Sequence, residues 1–387
     1  MEIVKLRACD YDDALDFLDF VFSKAYGPTH FGAMLPLCYR PTDEHMGHNF
    51  AVRENRKIRG IVGLFPAQVK VGGETLNLGG IGGVSAHPSD RGKGWMKLLM
   101  AHAIEEMESA ETDLSFLIGL RQRYQHFGYE KTGVLLEYIV SRTNIRNFLK
   151  SHSDDNALRF VPIQSDDFTY IEKAKALHDK QPVHCIRPLE DFRLYLLSGN
   201  TKPWAALQRD GKVVGYLAAS EKQDRITEIF ADDDACFSEM ILSWFLQQNI
   251  AQTSLFLAPW QASFARLLGT FAEECHLNDN GNWRIFNWEK VVRSLLMIKS
   301  RDHRLLNGSL LLGIKDYGTF MIRVDGEEVS CKRAAGSPDI EWDSFTASRI
   351  LFGHMPISLV EEIPQTIRQL AESWFPLPLC WLIQNYV

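Results

Sequence analysis

The sequence predicts an α/β protein of mixed sheets, with an α+β last part, arranged as three consecutive units. Three observations carry this prediction. Strand-like and helix-like runs alternate over the first 145 residues, the stretch Ala51–Gly60 is echoed at Ala206–Gly215, and the pattern changes character near Phe286. At 387 residues the chain exceeds what one hydrophobic core usually supports. The units expected are therefore 1–145, 146–285 and 286–387.

In the first unit, Glu2–Arg7 reads as a strand and Asp10 as the N-cap of a helix whose apolar residues Ala14, Phe17, Leu18, Val21, Phe22 and Ala25 recur at helical spacing. Gly27-Pro28 closes that helix, and a short one is expected near His30–Cys38. Phe50–Glu54, Ile58–Lys70 and Glu74–Val84 read as an antiparallel meander, divided by the turn signals Asn55-Arg56 and Gly72-Gly73. A helix over Gly94–Ser109, a strand over Leu114–Leu120, a short helix over Gln122–Phe127 and a last strand over Val134–Arg142 complete it.

The second unit repeats this order: a strand at Leu158–Pro162, helices at Asp166–His178 and Leu189–Leu197, then strands at Trp204–Arg209, Lys212–Ala219 and Ile226–Ala231. In the third, a helix from Phe286 to Ile298 precedes a polar loop at Lys299–Asn307. Strands follow at Gly308–Lys315, Thr319–Val324 and Glu328–Arg333, then helices at Asp343–Phe352 and Glu361–Trp374.

Composition removes several classes of function. A net charge of −7 offers no general attraction to nucleic acid and favours cationic partners. Seven widely spaced cysteines contain no C-x-x-C pair for zinc or redox chemistry. Neither a signal peptide nor an apolar span of membrane length is present, so a cytoplasmic protein without membrane contact is expected.

The chemistry is concentrated in Val84-Ser85-Ala86-His87-Pro88-Ser89-Asp90-Arg91-Gly92-Lys93-Gly94, a strand entering a basic, glycine-rich turn that opens into a helix. Unpaired N–H groups and the positive dipole end at a helix start suit a pyrophosphate. A bare Arg-Gly-Lys-Gly is also an ordinary basic turn. Its setting, after a meander and before the run Tyr124-Gln125-His126-Phe127-Gly128-Tyr129, gives it more weight.

On these residues the sequence resembles the GNAT superfamily of acetyltransferases, whose coenzyme motif is Q/R-x-x-G-x-G/A and whose later motif sets a tyrosine before a Phe-Gly step. It departs at Met96, where most of that superfamily has Gly or Ala. There it is similar to the Eis (enhanced intracellular survival) family, which has two tandem GNAT-type domains and a C-terminal domain resembling sterol carrier proteins. Asp339-Ile340-Glu341-Trp342, Leu351-Phe352-Gly353 and the aromatic-rich end are similar to that last domain.

The resemblance implies acetyl-CoA as co-substrate, Val84, Ser85 and Ala86 as partners of the pantetheine and acetyl groups, and Arg91, Gly92, Lys93 and Gly94 as the pyrophosphate cradle. It implies Tyr124 as general acid and the C-terminal carboxylate, here of Val387, as base. The expected substrate is an amine, of an aminoglycoside-like polyamino molecule or of a lysine side chain, acetylated directly. A homo-oligomer, by resemblance a hexamer, is expected as well. Simple packing of the apolar tail is the competing reading for Val387, and for Tyr124 a tyrosine packed beneath the loop.

Asp232-Asp233-Asp234 replaces the basic turn in the second unit, so one coenzyme per chain is expected. Glu44, His45 and His48 can be drawn as metal ligands, although solvated loop histidines fit them better. His87 and His126 flank the two motifs and offer proton transfer. Phe17, Phe20, Phe22 and Tyr26 read as pocket walls or as plain core. Two other classes of function stay open: a non-catalytic CoA- or lipid-binding module, and a transferase with a larger donor gripped by the second unit.

Overall fold

In the computed structural model, which describes residues 2–146 and 157–387, the chain forms three mixed sheets with helices packed against them. The first contains β1 (Ile3–Lys5), then, after helices α1 (Tyr11–Tyr26), α2 (Phe31–Met34) and α3 (Asp43–Met46), the meander β2 (Asn49–Glu54), β3 (Lys57–Val71) and β4 (Glu74–Ala86). Asn55 and Arg56 both adopt positive φ, at 51° and 65°, as a tight right-twisted hairpin requires. Helix α4 (Trp95–Ser109) crosses to β5 (Leu114–Leu117), which runs parallel to β4, and α5 (Arg121–Gln125) leads to β6 (Glu130–Lys131). Asp10 does not cap α1 with its side chain. A tight turn at Ala8–Asp10 aims its carboxylate at the Arg7 amide (2.9 Å) and the Arg53 guanidinium (2.5 Å) instead.

The expectation that Val134–Arg142 closes the first sheet is corrected. β7 (Leu135–Ser141) lies in the second sheet, antiparallel to β13 (Gln252–Leu257) and β14 (Glu274–Asn278). In exchange, β15 (Asn282–Ile285) enters the first sheet between β5 and β6. Two strands are thus exchanged between the expected first and second units. Tyr138 and Val140 join the core of the second sheet, while Trp283, 1% exposed, packs edge-on against Phe116 at 4.9 Å in the first. Periodicity identifies a run as a strand but not the sheet that receives it.

Between these exchanged strands come β8 (Arg159–Pro162), α6 (Phe168–Asp179), β9 (Val183–Cys185), α7 (Leu189–Leu197), β10 (Thr201–Leu207), β11 (Val213–Ser220), β12 (Arg225–Ala231), α8 (Asp234–Gln248) and α9 (Ala262–Leu268). The second sheet has the order β14-β7-β13-β12-β11-β10-β8. An antiparallel meander, a helix and then a parallel strand occur here as in the first sheet, with β12 beside β13 matching β4 beside β5. Both echoed hairpins also shift register near the turn, after Val52 and after Ala206.

The third sheet, in the order β18-β17-β16-β19, comprises β16 (Gly308–Ile314), β17 (Gly318–Asp325), β18 (Glu328–Arg333) and β19 (Ile340–Trp342), with α10 (Trp288–Asp302), α11 (Ser344–Phe352) and α12 (Gln365–Trp374). Lys299–Asp302, expected as loop, continue α10, where Lys299 and Arg301 sit in the last turn and complement the helix dipole. Helix α12 starts only at Gln365, behind Pro364, whose fixed φ suits a helix entry. Phe116, Trp283, Trp381 and Tyr386 belong to one core cluster where the sheets meet. No helix among the described residues is long and apolar enough to cross a membrane.

Candidate active site

β4 and β5 pair only from Leu78–Leu114 to Ile81–Leu117, yet β4 runs on to Ala86. Beyond Ile81 it keeps β3 on one side and has no strand on the other, so a wedge opens whose backbone groups need partners. A cleft of about 940 Å³ lies there, lined by Val84, Ser85 and Ala86, by Arg91, Gly92 and Gly94, and by Val21 and Phe22 of α1. Gly92 and Gly94 adopt φ of 85° and 82°, a conformation other residues rarely take, while a Cβ at either would meet nothing within 4 Å. Conformation rather than space therefore calls for glycine at these two positions.

Lys93, expected in the cradle, does not line this cleft. Its ammonium binds Asp90 at 2.9 Å and Glu54 at 3.6 Å, and its amide donates to the Asp90 carbonyl at 3.1 Å. Asp90, 3% exposed, also holds Arg59 at 2.5 Å, and these two cations keep its carboxyl well below the usual carboxylate range. The Arg59–Asp90–Lys93 cluster fixes the turn, whereas Arg91 stays exposed at the cleft with Lys97 and Arg123. The sequence reading missed Lys97 and Arg123. The signal was their position, one in the first turn of α4 and the other beside Tyr124. Arg91→Ala is expected to weaken CoA binding at least about tenfold by isothermal titration, as loss of a charge-assisted contact implies. Lys93→Ala should weaken it less and lower the melting temperature instead.

Tyr124 is 4% exposed and packs with Ile81, Met100, Leu117 and Tyr129 beside the wedge. Its ring covers Gly119, where a Cβ would meet Cδ2 at 3.0 Å. Its neighbours Arg123, His126 and Phe127 line the cleft. Helix α5 is held by the buried Glu130, which accepts from Arg121, from Gln125 at 3.0 Å and from Arg349 of α11 at 3.1 Å. Burial pushes that carboxyl up, but Arg121 and the other donors outweigh it and hold it below its ordinary value.

Val387 lies against the glycine run of β4. A Cβ on Gly82 would fall 2.6 Å from the Val387 carbonyl carbon, and one on Gly80 would fall 2.8 Å from Val387 Cγ2. Gly80 and Gly82 thus make room for the tail. The hydroxyl of Tyr39, buried and without a hydrogen-bond partner, fills the space beside Gly83.

A polar network anchored on the second sheet, with Arg187 and Asn280 beside it, holds the tail there. Arg187, 0% exposed, donates to both Glu228 oxygens (2.9 and 2.7 Å) and twice to Asn385 Oδ1 (2.9 and 2.7 Å), and Tyr216 donates to Glu228 at 2.8 Å. Gln384 accepts from Thr227 at 2.7 Å and donates to Thr201 at 3.0 Å, while Asn280 bonds both the amide and the carbonyl of Trp381.

Next to Val387 is a pocket of about 250 Å³, lined also by Gly80, Phe65, Glu44, His45, His48 and Asp191. Glu44, His45 and His48 face this pocket, and among the described residues there is no group of three or more His, Cys, Asp or Glu that could hold a metal ion. Burial lowers both imidazoles below their ordinary value, helped at His45 by Arg40 and at His48 by His45, which favours neutral rings. His87 stacks on Phe17 and Phe20, so those aromatics pack the loop against α1, while Phe22 joins the cleft wall.

A wedge at the end of β4, a glycine turn at a helix start and a basic rim together form a cleft suited to a ligand that carries a pyrophosphate. Residues 2–132 match the family described as "Acetyltransferase (GNAT) domain". Residues 2–132 thus form an acetyltransferase domain of the GNAT type, for which acetyl-CoA is the co-substrate. The full chain shares the fold of solved structures. A GCN5-related N-acetyltransferase from Kribbella flavida is 15% identical with TM-score 0.68, covering 100% of both chains. One from Anabaena variabilis is 16% identical with TM-score 0.69, covering 99% of both. Eis1 from Mycobacterium abscessus is 13% identical with TM-score 0.67, covering 100% of both. No curated protein matches the sequence.

Proposed function

We propose that the chain acetylates an amine of a polyamino small molecule, aminoglycoside-like, or of a lysine side chain, by direct transfer within a complex of both substrates. The observation that carries this reading is the shared strand: the end of β4 lines the coenzyme cleft, and its glycine run lines the pocket that holds Val387. The unpaired backbone of Val84–Ala86 orients the pantetheine arm and the acyl oxygen, and Arg91, Gly92 and Gly94 hold the pyrophosphate. Acetyl-CoA supplies the thioester whose C–S bond breaks as the C–N bond forms. The Tyr124 hydroxyl gives a proton to the departing sulfur, and the Val387 carboxylate, where the chain ends at that residue, takes one from the amine. Glu44 and Asp191 in the second pocket favour a cationic acceptor, with neutral His45 and His48 as hydrogen-bond acceptors. Asp191 also pairs with Arg40 at 2.6 Å, so Glu44 is the stronger of the two attractors.

In the second sheet, Asp233 caps α8 where the basic turn would stand, accepting from the Cys236 amide at 2.7 Å. That acidic helix start supports one coenzyme per chain and a degenerate second GNAT-type unit. The sterol-carrier likeness of 286–387 and assembly into a homo-oligomer belong to the same reading.

The test is CoA thiol release over polyamines, aminoglycosides and lysine peptides, with Gly82→Ala beside the wild type. Release should depend on the amine. In the variant, the added methyl displaces Val387, and kcat should fall on the order of a hundredfold, as small misplacements of reacting groups cost, with CoA affinity unchanged. If CoA binds but no amine raises release above hydrolysis, the chain is a coenzyme-binding module.

A further inference from the structure

A third cavity shares no lining residue with the coenzyme cleft or the tail pocket. It lies between the second sheet, the C-terminal end of α10 and the segment Pro376–Pro378, and its volume is about 270 Å³. Leu136, Leu277, Ile298 and Leu377 give it apolar walls. Two hydrogen-bond donors lack what their chemistry calls for. Trp260 lines the cavity, is only 8% exposed, and its indole N–H is buried without a partner. Lys299 donates one bond, at 3.2 Å to the Pro376 carbonyl, and among the described residues it pairs with no carboxylate. Burial alone lowers its ammonium to about 8. A half-buried cation without an anion is unfavourable, as is an unpaired indole N–H.

We propose that this cavity binds a short- to medium-chain aliphatic carboxylate, its chain against the apolar walls and its oxygens accepting from Lys299 Nζ and Trp260 Nε1. One carboxylate has enough lone pairs for both donors. The volume falls below the roughly 300–1,000 Å³ of pockets for drug-sized molecules, so the ligand is small. Lys299 was expected to lie in a loop; the continuation of α10 brings it to the cavity.

The experiment is isothermal titration of the full chain with acetate, butanoate, hexanoate and octanoate, each paired with the alcohol of equal length. The protein is taken as wild type, Lys299→Met, Lys299→Arg and Trp260→Phe, with and without saturating CoA. A carboxylate of intermediate length should bind at one site per chain, at least about tenfold more tightly than its alcohol. Lys299→Met should lose that preference, Lys299→Arg keep most of it and Trp260→Phe lose part, while CoA should leave binding unchanged. Between about pH 7 and pH 9.5 the wild-type affinity should fall as Lys299 loses its proton, since only the ammonium pairs with an anion. Asp302, His303 and His354 also line the cavity, His354 held by Asp279 at 3.1 Å, and the Lys299→Met profile isolates their share. The proposal is overturned if no carboxylate binds the folded wild type, if Lys299→Met and Trp260→Phe bind as well as wild type, or if CoA displaces the ligand. Acetyl transfer does not enter the readout, so failure here leaves the catalytic reading untouched.

Discussion

Replacing Arg187 by methionine is expected to destabilise the protein by about 3–5 kcal/mol, because it leaves the buried Glu228 carboxylate without its counter-ion. Arg187 is fully enclosed and makes four hydrogen bonds, two to Glu228 and two to Asn385. Denaturant unfolding monitored by circular dichroism measures the loss. Activity should fall further than stability explains, since Asn385 then loses its hold and Val387 its place on β4. A double variant with Glu228→Gln should recover part of the stability but not the activity. In the wild type, burial pushes the Glu228 carboxyl up, and Arg187 outweighs burial and holds it below its ordinary value. The pair's contribution is therefore complete above the unfolded carboxyl's value of about 4.5 and is lost as pH falls through the lower folded value. Without Arg187 that acid limb should disappear, because burial then holds the Glu228 carboxyl above its unfolded value and the variant gains stability as pH falls through that raised value.

Tyr124→Phe is expected to lower kcat by about 10²–10⁴-fold, the usual contribution of a positioned acid. The KM for acetyl-CoA should change little. Only the hydroxyl is removed, so the ring's packing over Gly119 and against Met100 and Tyr129 remains, and the melting temperature should stay close to wild type. Steady-state thiol release together with CoA titration separates the two effects. Loss of binding without loss of kcat would show that Tyr124 is a packing residue.

Much of the first unit was legible because its signals are local. Asn55-Arg56 and Gly72 name their own turns, the meander alternates, and Arg91-Gly92-Lys93-Gly94 marks a helix start by conformation alone. The same local reading did not show that Lys93 is held by Asp90, which also binds Arg59 from another strand. It also stopped α10 too early, taking Lys299–Asp302 for loop because they are polar. In a last helical turn, basic residues are favourable, and the aliphatic stem of a lysine can cover apolar surface.

By itself the sequence determined the mixed α/β class, the order of most elements, the glycine turn before α4 and the apolar tail that suits burial. The tertiary structure alone decided which sheet received β7 and β15, why β4 carries its glycine run, and where Val387 lies. The physical reason is range. Turn conformation, helix capping and strand alternation are fixed by residues a few positions apart. Strand exchange and the Arg187–Glu228–Asn385 network join residues distant in the chain, whose partners are chosen by burial and hydrogen-bond satisfaction across the whole fold.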